Sequence, residues 1–237
     1  MSISAPPGQP SILQTLSSSF RDAGGLLKRN AIPSAILIVI GTAIAFSVNA
    51  KGNVNSTLPA GVQALIFGMD LVLVVLSYYA IAAAVRTIHA EYRMTVGQFF
   101  GILGYSILVG LLTCIAAIFF VIPAYWVGVK LAVTPYAYAL GARDPLKTAW
   151  HMTTGYYWQT LGMLLLAGVC IGLIACAAIV VAAFAMTAAP VLGAIVAALA
   201  LLVLAWAVHV QALVYVRWTD ALLPRANMPS YAVPAPA

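Results

Sequence analysis

Two ionisable residues, Asp70 and Lys130, lie inside long apolar stretches of the sequence. A charged side chain within hydrocarbon costs about 2.5–3.5 kcal/mol on insertion scales, so such residues are expected to pair or to serve a function. At a helical rise of about 1.5 Å per residue, helices that enter an apolar layer near Ala60 and Pro123 place the two groups roughly 15 and 10 Å deep from the same side. The sequence therefore predicts an ion pair between Asp70 and Lys130.

This pair has two interpretations. As a structural pair it fixes the register of two helices, and if the residues do not meet, Lys130 extends outward to water instead. As a functional pair it forms a substrate or proton site. A transport path usually carries further polar residues at matching depth, and only Asn49, Gln63 and Ser77 are nearby. The structural role is therefore favoured.

His209 is alone in its own apolar stretch, where its imidazole could bind a metal or a haem. Such a site needs further ligands at similar depth, whereas His89 and His151 lie at or outside the expected membrane boundary. Buried imidazoles are usually hydrogen-bonded by their neighbours. We predict a hydrogen-bonded packing role for His209, with no metal and no cofactor.

The sequence contains no nucleophile elbow, no HExxH helix and no phosphate-binding loop. Gly97, Gly101 and Gly104 lie at the start of an apolar stretch. A phosphate-binding loop would instead lie between a strand and a helix, so we interpret the three as packing glycines. No catalytic residue is predicted, and the chain is expected not to be an enzyme.

A polar–apolar alternation sets the segment 144–158 apart from the rest of the chain. Asp144 can cap free amides at the start of a helix, and Pro145 suits the first helical position because its missing N–H would be unpaired there anyway. Gly155 can end the helix in a left-handed conformation. A helix of about eleven residues is too short to cross a bilayer, so it is expected to lie in the membrane–water interface.

The side chains of this segment divide into two faces and an aromatic edge. The apolar stripe at helical spacing consists of Leu146, Ala149, Trp150 and Thr153. The opposite, polar face consists of Lys147, His151 and Thr154. Aromatic residues, which are enriched at membrane interfaces, are Trp150, Tyr156, Tyr157 and Trp158. We name as the interfacial motif the residues Leu146, Trp150, Thr153, Gly155 and Trp158.

The same segment carries a resemblance to a known family. It resembles bacterial inner-membrane proteins of the YciC type and the membrane domains fused to some glycerophosphodiester phosphodiesterases. The positions that define the pattern are Leu146, Lys147, Ala149, Trp150, Met152, Thr153, Gly155 and Trp158. The family is expected to have Ser in place of Ala149 and Leu in place of Met152. The resemblance implies no settled activity and no catalytic residue, and the phosphodiesterase domain has no counterpart here.

The composition indicates a membrane protein. Of the 237 residues, 64% are hydrophobic and only 7% are charged, against about 25% charged residues in soluble domains. The net charge of +6 comes from bases that occur singly between apolar stretches, which is typical of topology signals rather than of a nucleic-acid surface. The three cysteines form no CxxC pair and predict no disulfide framework. The predicted partners are membrane lipids, with other membrane-protein subunits as candidates, and no nucleic acid.

Six apolar stretches are candidates for spans across a membrane. They are 31–49, 60–85, 99–122, 126–140, 161–186 and 190–216, the fourth kinked at Pro135. Amphipathic stretches precede pairs of spans at 11–29, 86–98 and 144–158. We predict an all-α membrane protein with a single six-span domain over 11–223 and interfacial amphipathic helices on the cytoplasmic side. Residues 1–10 are expected to be disordered, and 224–237 to form a loose Pro/Ala-rich tail.

The basic residues predict the orientation, because cytoplasmic loops carry an excess of Lys and Arg. With both termini in the cytoplasm, nine basic residues lie on that side and only Lys51 on the other, while Lys130 lies within a span. The predicted location is a bacterial inner membrane, crossed several times.

Two classes of function are consistent with these observations. The first is a non-catalytic accessory or scaffold subunit, packed against lipid or a larger membrane complex. The second is a small-solute or lipid transporter that uses a cavity near Asp70 and Lys130. A continuous polar cavity around that pair would favour the transporter.

Overall fold

The computed structural model describes residues 11–50, 60–119, 121–188 and 190–223. The side chains of residues 45–50, 60–70, 119, 179, 183, 186–188 and 190–191 lie outside this description. Every regular element in the described ranges is helical. The helices are α1 (Ile12–Arg29), α2 (Ala31–Ala50), α3 (Ala60–Arg86), α4 (Val96–Phe119), α5 (Val121–Leu131), α6 (Thr134–Ala139), α7 (Pro145–Gly155), α8 (Tyr157–Ala188) and α9 (Pro190–Leu222).

Several of these helices are long and apolar enough to cross a membrane. Within the described residues there are 3 such helices, which are Val96–Ile118, Tyr157–Ala182 and Leu192–Leu222. The count is 4 if α1 and α2, which meet at a bend of 86°, are taken as one broken span. The described part of α3, Leu71–Arg86, is a shorter apolar helix. The prediction of an all-α protein with membrane helices is therefore confirmed, whereas the number six stays a prediction.

The stretch 126–140, predicted as a fourth span kinked at Pro135, is divided between two helices, and its crossing of a membrane stays a prediction. α5 ends at Leu131, and α6 begins at Thr134. The cause is Pro135, which offers no N–H to the carbonyl of Leu131, four residues earlier, and whose ring clashes with that carbonyl. In the first turn of α6, by contrast, Pro135 needs no N–H partner. With 11 and 6 residues, neither helix is long enough to cross a bilayer alone.

Residues 86–98, predicted as an amphipathic stretch, do not form a continuous helix. α3 ends at Arg86, and α4 begins at Val96. The start of α4 is fixed by a capping box, in which the N–H of Thr95 donates to Oε1 of Gln98 at 2.9 Å and the N–H of Gln98 donates to Oγ1 of Thr95 at 3.2 Å. This reciprocal pair satisfies two amides that have no partner within the helix.

Gly141 ends α6 in the left-handed conformation, with a φ of 86°. The N–H of Ala142 donates to the carbonyl of Ala137 at 2.9 Å, and the N–H of Gly141 donates to the carbonyl of Tyr138 at 2.9 Å. These two bonds form a Schellman motif, which pairs carbonyls at the end of a helix. The motif turns the chain out of α6 toward the start of α7.

Both predicted caps of α7 are wrong, although the helix itself is confirmed. Asp144 makes no capping bond through its side chain, and only its carbonyl accepts a hydrogen bond, from the N–H of Thr148 at 2.8 Å. Gly155 has no positive φ. The reason is that α8 begins at Tyr157, so Tyr156 alone links the helices and no left-handed reversal is needed.

The described chain divides into two compact units. The first contains the described residues of Met1–Arg21, Ile81–Ala167 and Ala212–Ala237, and the second those of Asp22–Ala80 and Gly168–Gln211. In the first unit α4 packs against α5 and α6, and both of these short helices also contact α7. In the second unit the core is formed by the fully buried side chains of Leu37, Leu76 and Ala205.

Among the described glycines of α4, Gly101 makes the closest approach to α6. A Cβ added there would overlap the ring of Tyr138, whereas a Cβ added at Gly104, on the same helix, would meet nothing within 4 Å among the described atoms. The interpretation as a packing glycine is therefore confirmed for Gly101, whereas for Gly104 it stays a prediction.

We expect Gly101→Ala to destabilise the protein by about 1–3 kcal/mol because the tyrosine ring must move. Gly104→Ala is the matched control, and it should be neutral or stabilising because alanine favours the helix by roughly 0.5–1 kcal/mol. Thermal unfolding in detergent measures both variants. Equal effects at the two positions would contradict the assigned packing of Gly101 against Tyr138.

Candidate functional site

Lys130 lies in the last turn of α5 and is only 4% exposed. Its Nζ donates a hydrogen bond to Oγ1 of Thr154 on α7 at 2.6 Å. The same hydroxyl donates to the carbonyl of Trp150 at 2.6 Å. Because the ammonium can only donate and the carbonyl can only accept, the Thr154 hydroxyl links the two, and α7 thereby holds the ammonium of α5.

Three aromatic rings surround the Lys130 ammonium. Its Nζ lies 5.5 Å from the ring centroids of Trp126 and Trp150 and 6.0 Å from that of Tyr157. Trp126 and Trp150 meet edge to face, with centroids 4.9 Å apart. A cation over an aromatic face gains about 0.5–2 kcal/mol, more where water is excluded. We name Lys130, Thr154 and the three rings the lysine cage.

Thr153 supplies a second bond between the same helices. Its Oγ1 lies 3.1 Å from the carbonyl oxygen of Lys130 and 2.7 Å from that of Ala149, and its side chain is fully buried. The carbonyls in the last turn of a helix have no partner within it, so the Thr153 hydroxyl can satisfy that of Lys130. Thr153, which the sequence places on the apolar stripe of α7, thus forms a polar contact with α5.

The remaining residues of the interfacial motif differ in exposure. Trp150 is 36% and Trp158 is 76% exposed, Gly155 is exposed, and Leu146 is half-buried. Exposed tryptophans are typical of membrane interfaces. Within the motif, Trp158 therefore faces outward and Thr153 inward, while Trp150 is partly exposed and its ring forms part of the lysine cage.

Asp70 lies within α3, but its side chain lies outside the described residues. The predicted ion pair between Asp70 and Lys130 therefore stays a prediction. What the structure adds is that the Lys130 ammonium has partners of its own on α5, α7 and α8.

His209 is fully buried and hydrogen-bonded on both ring nitrogens, which confirms the predicted packing role. Its Nδ1 lies 2.7 Å from the carbonyl oxygen of Ala205, and its Nε2 lies 2.9 Å from Nδ2 of Asn30. A carbonyl only accepts, so the proton belongs on Nδ1, and Nε2 accepts from the Asn30 amide. This assignment makes the ring neutral.

Asn30 is a functional candidate that the sequence reasoning did not single out. It stands between α1 and α2, where the chain bends by 86°, and it is 7% exposed. Its carbonyl accepts from Oγ of Ser34 at 2.8 Å, and its N–H donates to the carbonyl of Leu26 at 3.1 Å. The only sequence signal is an Asn at the junction of an amphipathic and an apolar helix. We name Asn30 and His209 the elbow pair.

Trp218 lies near the end of α9. It is only 4% exposed, and its Nε1 donates to Oγ1 of Thr160 at 3.2 Å. The neighbouring Arg217 donates from Nη1 to Oγ of Ser18 at 2.9 Å. The end of α9 is therefore packed against α8 and α1 within the first unit.

No protein-family model, no curated protein and no solved structure matches this chain. The resemblance to YciC-type proteins and phosphodiesterase membrane domains therefore rests on the residues of 144–158 and stays a prediction. Among the described residues no group of three His, Cys, Asp or Glu side chains could hold a metal ion.

We expect Lys130→Met and Thr154→Val to be coupled in stability. The bond to Thr154 contributes about 1.5 kcal/mol, at the lower end for a charged donor because the threonine is exposed. Thr154→Ser retains the hydroxyl and is the matched control. Unfolding of the two single variants and the double variant measures the coupling, and additive losses would mean that the bond contributes nothing.

We also expect the elbow pair to behave as one unit. Asn30→Val leaves Nε2 of His209 buried without a donor, and His209→Leu leaves the Asn30 amide buried without an acceptor, so each should cost about 1–3 kcal/mol. The double variant removes both groups and should lose less than the sum of the single losses. Ser34→Ala, which removes only a local bond to the Asn30 carbonyl, is the control. A double variant as unstable as the sum would contradict the pairing.

Proposed function

We propose that the chain is a non-catalytic, multi-pass protein of the bacterial inner membrane that serves as an accessory or scaffold subunit, packed against lipid or a larger membrane complex. The observation that carries the proposal is the exposed apolar surface of α4. Its candidate span Val96–Ile118 is 23 residues long and apolar, and only 6% of it is buried by the rest of the described chain. Large apolar surfaces of this kind require lipid or a partner to cover them.

The exposed apolar side chains of α4 extend along its length. Phe100 is 62% exposed, Ile107 is 62%, Leu111 is 56% and Ile118 is 81%. Ile102, in contrast, is fully buried. Between helices in a membrane, association depends on close packing rather than on the hydrophobic effect. The α4 surface is accordingly where we place a neighbouring subunit or a shell of lipid.

A structural rather than a transport role for Lys130 is supported by its partners. The ammonium is nearly buried and is held by Thr154 and three aromatic rings of its own chain. A transporter would need this charge to meet a solute, which would have to displace the cage. The resemblance to a family with no settled activity is consistent with a non-catalytic role.

For the orientation we propose cytoplasmic termini, supported by the nine basic residues assigned to that side against Lys51 on the other. Reporter fusions placed after Asn53 and at the C-terminus should respond on opposite sides of the membrane. Responses on the same side would contradict this topology.

The accessory role is tested by photo-crosslinking from α4 in intact membranes. A photoreactive amino acid at Leu111 or Ile118 should form an adduct with one membrane protein of defined mass, whereas the same residue at the buried Ile102 should not. Adducts with lipid alone, at both exposed positions, would contradict the subunit role. Solute flux in proteoliposomes that disappears in Lys130→Met would instead favour the transporter.

A further inference from the structure

Helix α7 separates two grooves in the first unit. The apolar groove, of about 730 Å³, lies between α4, α5 and α7. Its walls include Leu112, Ile115 and Ala116 of α4, Val127 and Leu131 of α5, and Leu146 of α7. This volume falls in the usual range of about 300–1,000 Å³ for sites that bind small molecules. The walls fit a hydrocarbon chain.

The polar groove, of about 450 Å³, also borders α7 and is closed at one end by Leu222 of α9. Three basic side chains line it, Arg143, Lys147 and His151. They follow one another at intervals of four residues, which places them along one side of the helix and the turn before it, and all three are exposed. This side of α7 therefore presents a row of nitrogen donors.

The two grooves share lining residues at the start of α7. Asp144 and Lys147 line both of them. Among the described residues, Asp144 is the one acidic residue that lines either groove, and the lining also includes the two fixed cations Arg143 and Lys147 and the imidazole of His151. The start of α7 therefore combines a surplus of positive charge with a position at the edge of the apolar groove.

A molecule that matches both parts must have a long apolar chain attached to an anionic group. We propose that an anionic phospholipid binds here, with one acyl chain in the apolar groove and its phosphate at Lys147, where Arg143 and His151 extend the binding surface for the headgroup. A zwitterionic lipid offers the same acyl chain but no net charge to the basic row. The inference rests on the proposed placement of the chain in a membrane, and it does not require the accessory role.

The test uses the full chain in a mild detergent and measures binding of phosphatidylglycerol and phosphatidylethanolamine by native mass spectrometry. We expect phosphatidylglycerol to be retained preferentially. Its affinity should fall about fivefold for each basic residue removed and roughly 25-fold in the Arg143→Gln, Lys147→Gln double variant, as for bases near an anionic surface. Lys28→Gln, an exposed base on α1, is the matched control and should leave the affinity unchanged.

A second pair of variants tests the acyl chain. Ile115→Trp should fill the apolar groove and weaken the binding of phosphatidylglycerol. Leu108→Trp, on the same helix but outside the groove lining, should leave that binding unchanged. Unfolding without lipid shows that each variant is folded. Binding of glycerol 3-phosphate as tight as that of the lipid would overturn the proposal in favour of a soluble phosphate ligand. Equal retention of both lipids would also overturn it.

These outcomes are separate from those of the proposed function. Failure of the chain to enter membranes would remove the basis of both. Lipid selectivity without a protein adduct from α4 would leave the lipid site supported and the subunit role rejected. A protein adduct without lipid selectivity would do the reverse.

Discussion

The ammonium group of Lys130 sets the arrangement of the short helices in the first unit. An ammonium in apolar surroundings is costly unless hydrogen-bond acceptors or negative charge face it. Thr154 of α7 and the three rings supply what is missing. The break at Pro135 and the Schellman motif at Gly141 reverse the direction of the chain after α5. This reversal allows α7 to contact α5.

The second unit meets a related constraint with neutral groups. His209 and Asn30 would each leave buried polar atoms unpaired, and together they satisfy one another while the imidazole also donates to its own helix. The surrounding core of Leu37, Leu76 and Ala205 has no polar side chain to offer. In each unit, therefore, a few polar contacts select one packing among many that apolar helices would permit.

The sequence predicts the helical class and the position of α7, because apolar length and the pair of Pro145 with a helical stripe are local signals. It does not predict how α7 ends. Gly155 is suited to a left-handed cap, yet the immediate start of α8 removes the need for one, and Gly141 takes that conformation instead. The role of Asn30 and the polar contact of Thr153 could not be recognised from the sequence, since both depend on partners on other helices. Only Pro135 could have shown locally that the predicted fourth span is two helices.

The separation of the elbow pair along the chain has a consequence for biosynthesis. Asn30 and His209 are 179 residues apart, so the bend between α1 and α2 is made long before its imidazole partner exists. At about 5–20 residues per second, the Asn30 amide waits roughly 10 to 35 s for α9 to be translated. During that interval the amino-terminal helices must be held by water, by lipid headgroups or by the insertion machinery. The residue at the bend between α1 and α2 thus gains its imidazole partner only after α9, 179 residues later in the chain, has been translated.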